Sequence, residues 1–293
     1  MGSHPPAYGA FRSLIQRDER QTVPMTGVPK TNGLSLALVV AHPDDDAYGM
    51  ASMVALHAED PGFRFILIHA TDGGAGDIRE GFPATRETLG RIRQQEDEAA
   101  WRALGRMPDR HEWLGYPDGE VDQVPSDELV DAVAAILEEE QPTVVGTLGP
   151  DGISAHPDHI AIGAATDAAF ARYASTSGTA FRRLLHSAIP NSVFERWQRQ
   201  RAEMGMELFD PTQVYHMRGI PDEEIGLVVD ARSVTHRTVA GLREHKSQHH
   251  VMSNDPDDVE SWQKIVSRDW AVVWWPERAP GTPVLTDPFE GLP

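Results

Sequence analysis

The chain alternates between unbroken apolar runs and segments whose apolar residues recur at helical spacing. Leu34–Ala41 and Phe63-Arg-Phe-Ile-Leu-Ile-His69 are apolar enough to be buried on both faces, as strands of a parallel sheet are. Thr143-Val-Val-Gly-Thr-Leu148 has the same character, and His111–Leu114 reads as a shorter strand. Between these runs, helical patterning predicts helices over about 47–59, 84–104, 126–140 and 157–173. Gly105 is placed to end the second of them, Ser126 to cap the third, and Pro142 follows the third helix's end. Strand and helix thus alternate four times through residue 173, which predicts an α/β fold: a mostly parallel sheet with helices on both faces. Further along, Leu184–Ile189, Val214–Arg218 and Ile225–Val229 are strand candidates, followed by a helix around 232–248 and a Trp-rich tail. Residues 1–32, rich in Pro, Gly and polar groups, read as an extended arm, and 33–293 as a single domain.

Composition narrows the chemistry. The chain has 293 residues, with 26 Lys and Arg against 45 Asp and Glu, a net charge of −19 that argues against a nucleic-acid or anionic-membrane surface. There is no cysteine, so any metal must rest on His, Asp and Glu. No apolar run approaches the roughly 20 residues needed to span a bilayer, and residues 1–32 lack a basic-then-apolar leader pattern. The cytoplasm is therefore the expected location. Nothing in the sequence forbids assembly into a homo-oligomer.

In open α/β sheets ligands bind outside the carboxyl ends of the strands. That rule selects the loops 42–46, 72–77 and 149–159. The first reads His42-Pro-Asp-Asp45 and the third His156-Pro-Asp-His159: in each a His, a Pro that fixes the backbone, an Asp and a further potential ligand. A single His-Pro-Asp is usually only a turn; two of them at the ends of predicted parallel strands point to a metal. His42, Asp45 and His159 make a His₂–carboxylate set, the three protein ligands typical of a catalytic zinc, and the same set accepts Fe²⁺. Asp44 is left beside the metal as a general base for an activated water. His156, if protonated, can stabilise an oxyanion and later protonate a leaving amine.

These residues carry a family resemblance. Ala41-His-Pro-Asp-Asp45 with His156-Pro-Asp-His159 resembles the LmbE/PIG-L family of zinc-dependent N-deacetylases, which act on N-acetylglucosaminyl conjugates. Arg93-Gln-Gln-Glu96, Leu114-Gly-Tyr-Pro-Asp-Gly119 and His245-Lys-Ser-Gln248 are similar to further motifs of that family, in the same order over roughly residues 34–250. The resemblance implies a Rossmann-like fold, Zn²⁺ as the cofactor and a small-molecule glycoconjugate as the substrate. It also implies His42, Asp45 and His159 as ligands, Asp44 as the base, His156 as its electrostatic partner, and Arg93 and Asp118 as sugar contacts. One departure is Asp46, where the family usually has Glu; it is left without a role.

Two other classes stay open on the residues alone. A metal-assisted phosphoesterase would use the same acids, but Arg or Lys near the loops is not evident. A non-catalytic sugar- or cofactor-binding protein would need an incomplete metal set. The loop Thr71-Asp-Gly-Gly-Ala-Gly76 has no nucleotide-binding fingerprint and suits either a substrate loop or a plain turn. His245 and His249, four apart on the expected helix, are read as lining or underpacking the cavity rather than as a second metal site. Trp262, Trp270, Trp274 and Trp275 are assigned to core or interface.

Overall fold

A computed structural model of the protein describes residues 33–174, 178–252, 257–279 and 281–293; the arm expected over 1–32 lies outside them. One seven-stranded sheet organises the chain. Its strands are β1 (Ser35–Val40), β2 (Arg64–His69), β3 (Arg110–Trp113), β4 (Val144–Leu148), β5 (Arg183–Ser187), β6 (Leu227–Asp230) and β7 (Arg268–Trp275). Their spatial order is β3-β2-β1-β4-β5-β7-β6. The first five run parallel, with Leu36 opposite Phe65 and Val144, while β7 is antiparallel to both β5 and β6.

The two faces of β1 explain why its sequence is apolar throughout. Ala37 and Val39 join Ile66 and Ile68 in a core closed by helices Ser126–Glu140 and Pro157–Ala171. Leu36, Leu38 and Val40 join Phe65 and Leu67 in a second core closed by helices Ala51–Leu56 and Arg86–Leu104. Because successive side chains point to opposite faces, a strand covered on both sides has no polar positions to spare. The expected mostly parallel sheet with helices on both faces is what the chain forms.

Several local expectations are corrected. The helix expected over 47–59 is two, Asp45–Gly49 and Ala51–Leu56, broken at Met50. The approach of Ser187 accounts for Gly49, since a Cβ there would lie 2.4 Å from the Ser187 hydroxyl. Ser126 is the first helical residue, and Pro125 takes the cap position. Val214–Arg218 is not a strand: Tyr215 has φ +67°, which ends extension, and the N–H groups of Tyr215 and Arg218 bond the carbonyls of Ser154 and Ile153. The helix expected at 232–248 stops at Leu242, with a single 3₁₀ turn at Lys246–Gln248. The Trp-rich tail supplies β7, which buries Trp274, and the separate helix Val259–Ile265, which buries Trp262.

Candidate metal centre and active site

β1 and β4 lie side by side at the centre of the sheet, so the loops leaving their carboxyl ends meet. His42 lies two residues beyond the end of β1 and is buried. His159 sits in the first turn of the helix Pro157–Ala171, which His156 caps and Pro157 opens. The His42 Nδ1 and His159 Nε2 atoms are 3.2 Å apart. Asp45 completes the triangle: its Oδ2 is 3.3 Å from His42 Nδ1 and its Oδ1 3.2 Å from His159 Nε2. Ligand bonds of roughly 2.0–2.1 Å in a tetrahedron set neighbouring ligand atoms roughly 3.3–3.4 Å apart. The two histidine nitrogens and the two Asp45 oxygens thus lie at about that spacing, and His42 and His159 also group with His156 closely enough for one ion.

The outer nitrogens are committed in the way metal-binding histidines require. His159 Nδ1 donates to the Gly152 carbonyl at 2.9 Å, which leaves Nε2 as the free lone pair. His42 Nε2 faces two carboxylates, Asp118 at 3.0 Å and Asp158 at 3.3 Å. Asp158 is fully buried and also accepts the N–H groups of Gly119 (2.8 Å) and Val121 (3.1 Å). It therefore fastens the Pro117–Val121 turn to the centre while it orients His42. Asp118 accepts the Ala75 N–H at 2.7 Å. Burial pushes the Asp118 carboxyl up, but the bond to His42 prevails and holds it at about 2. Burial likewise opposes the Asp45 carboxylate, and His159 and His42 together hold it well below the usual range. Three carboxylates around two imidazoles make a donor set that suits a cation.

Asp44 stands apart from the triangle. Its backbone has φ +104°, a conformation rare outside glycine, held because the loop around it is over-determined. Burial, opposed by Arg93 and reinforced by Asp45, raises its carboxyl to about 7. Arg93, on the helix Arg86–Leu104, donates to Asp44 at 3.2 Å, to the Pro43 carbonyl at 2.6 Å and to the Gly73 carbonyl at 2.9 Å. A Cβ at Gly73 would sit 2.4 Å from the Arg93 guanidinium, and Gly73 has φ +68°, so this position of the 72–77 loop requires glycine. Arg93 is buried as a clamp between the two loops.

His156 accepts the Asp158 N–H on Nδ1 at 3.2 Å, which puts the ring proton of its neutral form on Nε2. Its ring stacks on His159, with centroids 4.6 Å apart and planes at 15°, and Tyr215 meets it edge-on at 5.0 Å. Burial, then the neighbouring His42 and His159, lowers its pKa to about 4. Both influences favour the neutral ring, which can still donate from Nε2.

Two of the sequence motifs meet in space. Glu96, one turn after Arg93, accepts the Ser247 N–H at 2.7 Å and the Ser247 hydroxyl at 2.6 Å, while Gln248 donates to the Asp77 carbonyl at 2.9 Å. His245 is fully buried, and His249 bonds the Arg243 carbonyl. Sequence reasoning missed the pairing of Asp118 and Asp158 with His42. The available signal was an acid next to a ligand histidine in the second His-Pro-Asp motif.

Residues 37–170 match the family described as PIG-L: GlcNAc-PI de-N-acetylase. A 1D-myo-inositol 2-acetamido-2-deoxy-alpha-D-glucopyranoside deacetylase from Acidothermus cellulolyticus is 32% identical over 240 residues, covering 73% of this chain and 79% of that protein. In structure, the chain resembles an N,N'-diacetylchitobiose deacetylase from Pyrococcus horikoshii with a TM-score of 0.51 at 22% identity, covering 90% of this chain and 86% of that one. It also resembles GalB, a 4-carboxy-2-hydroxymuconate hydratase from Pseudomonas putida, with a TM-score of 0.56 at 16% identity, covering 86% and 100%. At such identities the structural likenesses speak to the fold, which serves more than one chemistry. The family match and the relative's identity over most of its length go further: the chain belongs to the PIG-L family.

Proposed function

We propose that the chain is a metal-dependent N-deacetylase that hydrolyses the 2-acetamido group of a glucosaminyl conjugate, giving the free amine and acetate, with residues 33–293 acting as one unit. The observation that carries this reading is the close meeting of His42 Nδ1, His159 Nε2 and the two Asp45 oxygens, at 3.2–3.3 Å, with Asp44 beside them. The relative's named activity on an acetamido-glucopyranoside supports the substrate class. Zinc is the metal we assign, because three N and O ligands with an open corner are its usual catalytic set; Fe²⁺ suits the same donors. When bound, the ion polarises the amide carbonyl and lowers the pKa of water toward roughly 7.

The chain's own groups do the rest. Asp44 takes a proton from the attacking water, and Arg93 fixes the direction of its carboxylate. His156, its Nδ1 occupied by the Asp158 N–H, aims Nε2–H at the oxyanion as the carbonyl becomes tetrahedral. The proton held on Asp44 then passes to the departing nitrogen, which closes the balance: one water is consumed, and the amine and acetic acid formed leave as ammonium and acetate once the acid's proton moves to the amine. The phosphoesterase reading loses ground on a specific point. Arg93 spends its guanidinium on Pro43, Gly73 and Asp44, and the centre is ringed by carboxylates that repel phosphate.

The test is acetate release from a panel of N-acetylglucosaminyl conjugates by the metal-loaded protein, alongside phosphate release from phosphomonoesters. Acetate release that stops on chelation and returns with zinc is the expected outcome. Phosphate release without acetate release would overturn the reading.

A further inference from the structure

Beneath the catalytic loop lies a second cluster of residues that could hold a metal ion, none of which has a part in the proposed reaction. His69 ends β2, His111 lies on β3, and Asp97 projects from the helix Arg86–Leu104 one turn beyond Arg93. A donor atom from each falls within 4.8 Å of the other two. His69 Nδ1 is 3.1 Å from His111 Nε2, Asp97 Oδ2 is 3.6 Å from His111 Nε2, and Asp97 Oδ1 is 3.8 Å from His69 Nε2. The two carboxylate distances are too long for hydrogen bonds. With one donor atom taken from each residue, the three stay within 4.8 Å of one another, a spread that one bound ion can draw together.

Satisfaction of polar atoms points the same way. His69 and Asp97 are both fully buried, yet His69 Nε2 and both Asp97 oxygens have no hydrogen-bond partner. Both ring nitrogens of the neighbouring buried His245 are also without one. A buried carboxyl with no donor on either oxygen must be held neutral by its proton, paired or coordinated, and burial pushes the Asp97 carboxyl up in the structure without a cation. Asp46 closes the cluster from above, its Oδ1 3.5 Å from His69 Nε2. Trp113 stacks on the outer face of His69 at 4.4 Å and shields it. His111 alone keeps some exposure, 15% of its side chain, and marks the way in.

We propose that His69, Asp97 and His111 bind a second divalent transition-metal ion, which braces the catalytic loop through Asp46. Two imidazoles and one carboxylate select Zn²⁺ or a neighbouring first-row ion over Mg²⁺ and Ca²⁺, which prefer all-oxygen sites. The ion neutralises Asp97 and gives Asp46 a fixed positive neighbour, so the backbone that carries Asp44 and Asp45 rests on a rigid floor.

Metal counting tests this with no reference to turnover. The full chain is stripped with a chelator, reloaded with Zn²⁺, freed of excess and analysed by elemental mass spectrometry. The intact protein should hold two ions per chain, and His159→Ala and His111→Gln one each. His111→Gln is chosen because the ring is partly exposed, so the packing change is small. If that variant fails to fold, His159→Ala still decides: one retained ion supports the second site, and none overturns it. An intact protein with one ion that His159→Ala loses and His111→Gln keeps would remove the second site and leave the catalytic one standing. One ion lost in His111→Gln and kept in His159→Ala would do the reverse.

Discussion

The indole N–H of Trp101 donates to Asp46 Oδ2 at 2.7 Å, both side chains being buried. Asp46 Oδ1 meanwhile accepts the Asp44 N–H at 3.2 Å. The third acid of the run Asp44-Asp-Asp46 is therefore the anchor through which the helix Arg86–Leu104 holds the strained Asp44 backbone. Burial opposes the Asp46 carboxylate, but the neighbouring His69 brings its pKa below the usual value. The same helix stripe, Arg93, Asp97 and Trp101 at intervals of four, thus meets Asp44, the His69–His111 pair and Asp46 in turn.

Trp101→Phe keeps the ring and removes the donor. The Asp46 oxygen left behind is buried without its partner, a loss of about 1–3 kcal/mol of stability. Urea denaturation should show a lower midpoint, and turnover should fall as the Asp44 conformation loosens. A variant as stable and active as the parent would mean that the anchor is dispensable.

Asp44→Asn tests the base with the least disturbance of the backbone, because Asn tolerates positive φ better than Ala. Losing general-base catalysis should lower kcat by about 10²–10⁴-fold. Metal content should stay at the parent value, since Asp44 lies outside the ligand triangle. Undiminished turnover would take Asp44 out of the mechanism.

Arg93 separates two roles by kinetics. As a clamp on Pro43, Gly73 and Asp44, it should affect kcat, and Arg93→Lys should lower kcat at least tenfold with little change in KM, because one ammonium cannot replace the planar fork. As the sugar contact implied by family resemblance, it should raise KM and spare kcat. Steady-state kinetics of that one variant decides between them.

Asp158→Asn weakens the carboxylate that orients His42. Loss of such an outer partner typically lowers metal affinity about 10–100-fold. Competition against a chromophoric chelator should register that drop, with the coordinating residues themselves untouched.

His57 predicts a pH dependence of stability far from the centre. It bridges Asp60 at 2.6 Å and Asp287 at 2.8 Å, pinning the end of the helix Ala51–Leu56 to the C-terminal segment. Burial works against its charge, but the two carboxylates prevail and raise its pKa above the usual 6.5. The folded state therefore binds this proton more tightly than the unfolded chain does. The resulting stability is fully present below pH 6.5 and is lost as pH rises through the raised value. Thermal denaturation of His57→Gln across that window should lack the decline seen in the parent protein.

The parallel core was legible because its strands are covered on both faces, which leaves unbroken apolar runs such as Leu36–Val40 with a signal of their own. The catalytic loops were legible for a related reason: His-Pro-Asp is abrupt after such a run, and sheet topology dictates that loops at strand ends converge. Local pattern failed where pairing decides. Val214–Arg218 has the composition of a strand, but Tyr215 turns it onto Ser154, whereas Arg268–Trp275 becomes a strand because β5 and β6 offer it two edges. Side-chain direction was equally out of reach. Arg93 points to Asp44, Asp158 to His42, and Asp97 to His69 and His111, from positions whose sequence spacing carries no trace of the contact. Sequence by itself determined the layered α/β frame, the two histidine loops and their family, because burial and backbone chemistry are local. Only the tertiary structure decided which acids face which histidines, because that depends on helix rotation and strand order set by the whole core.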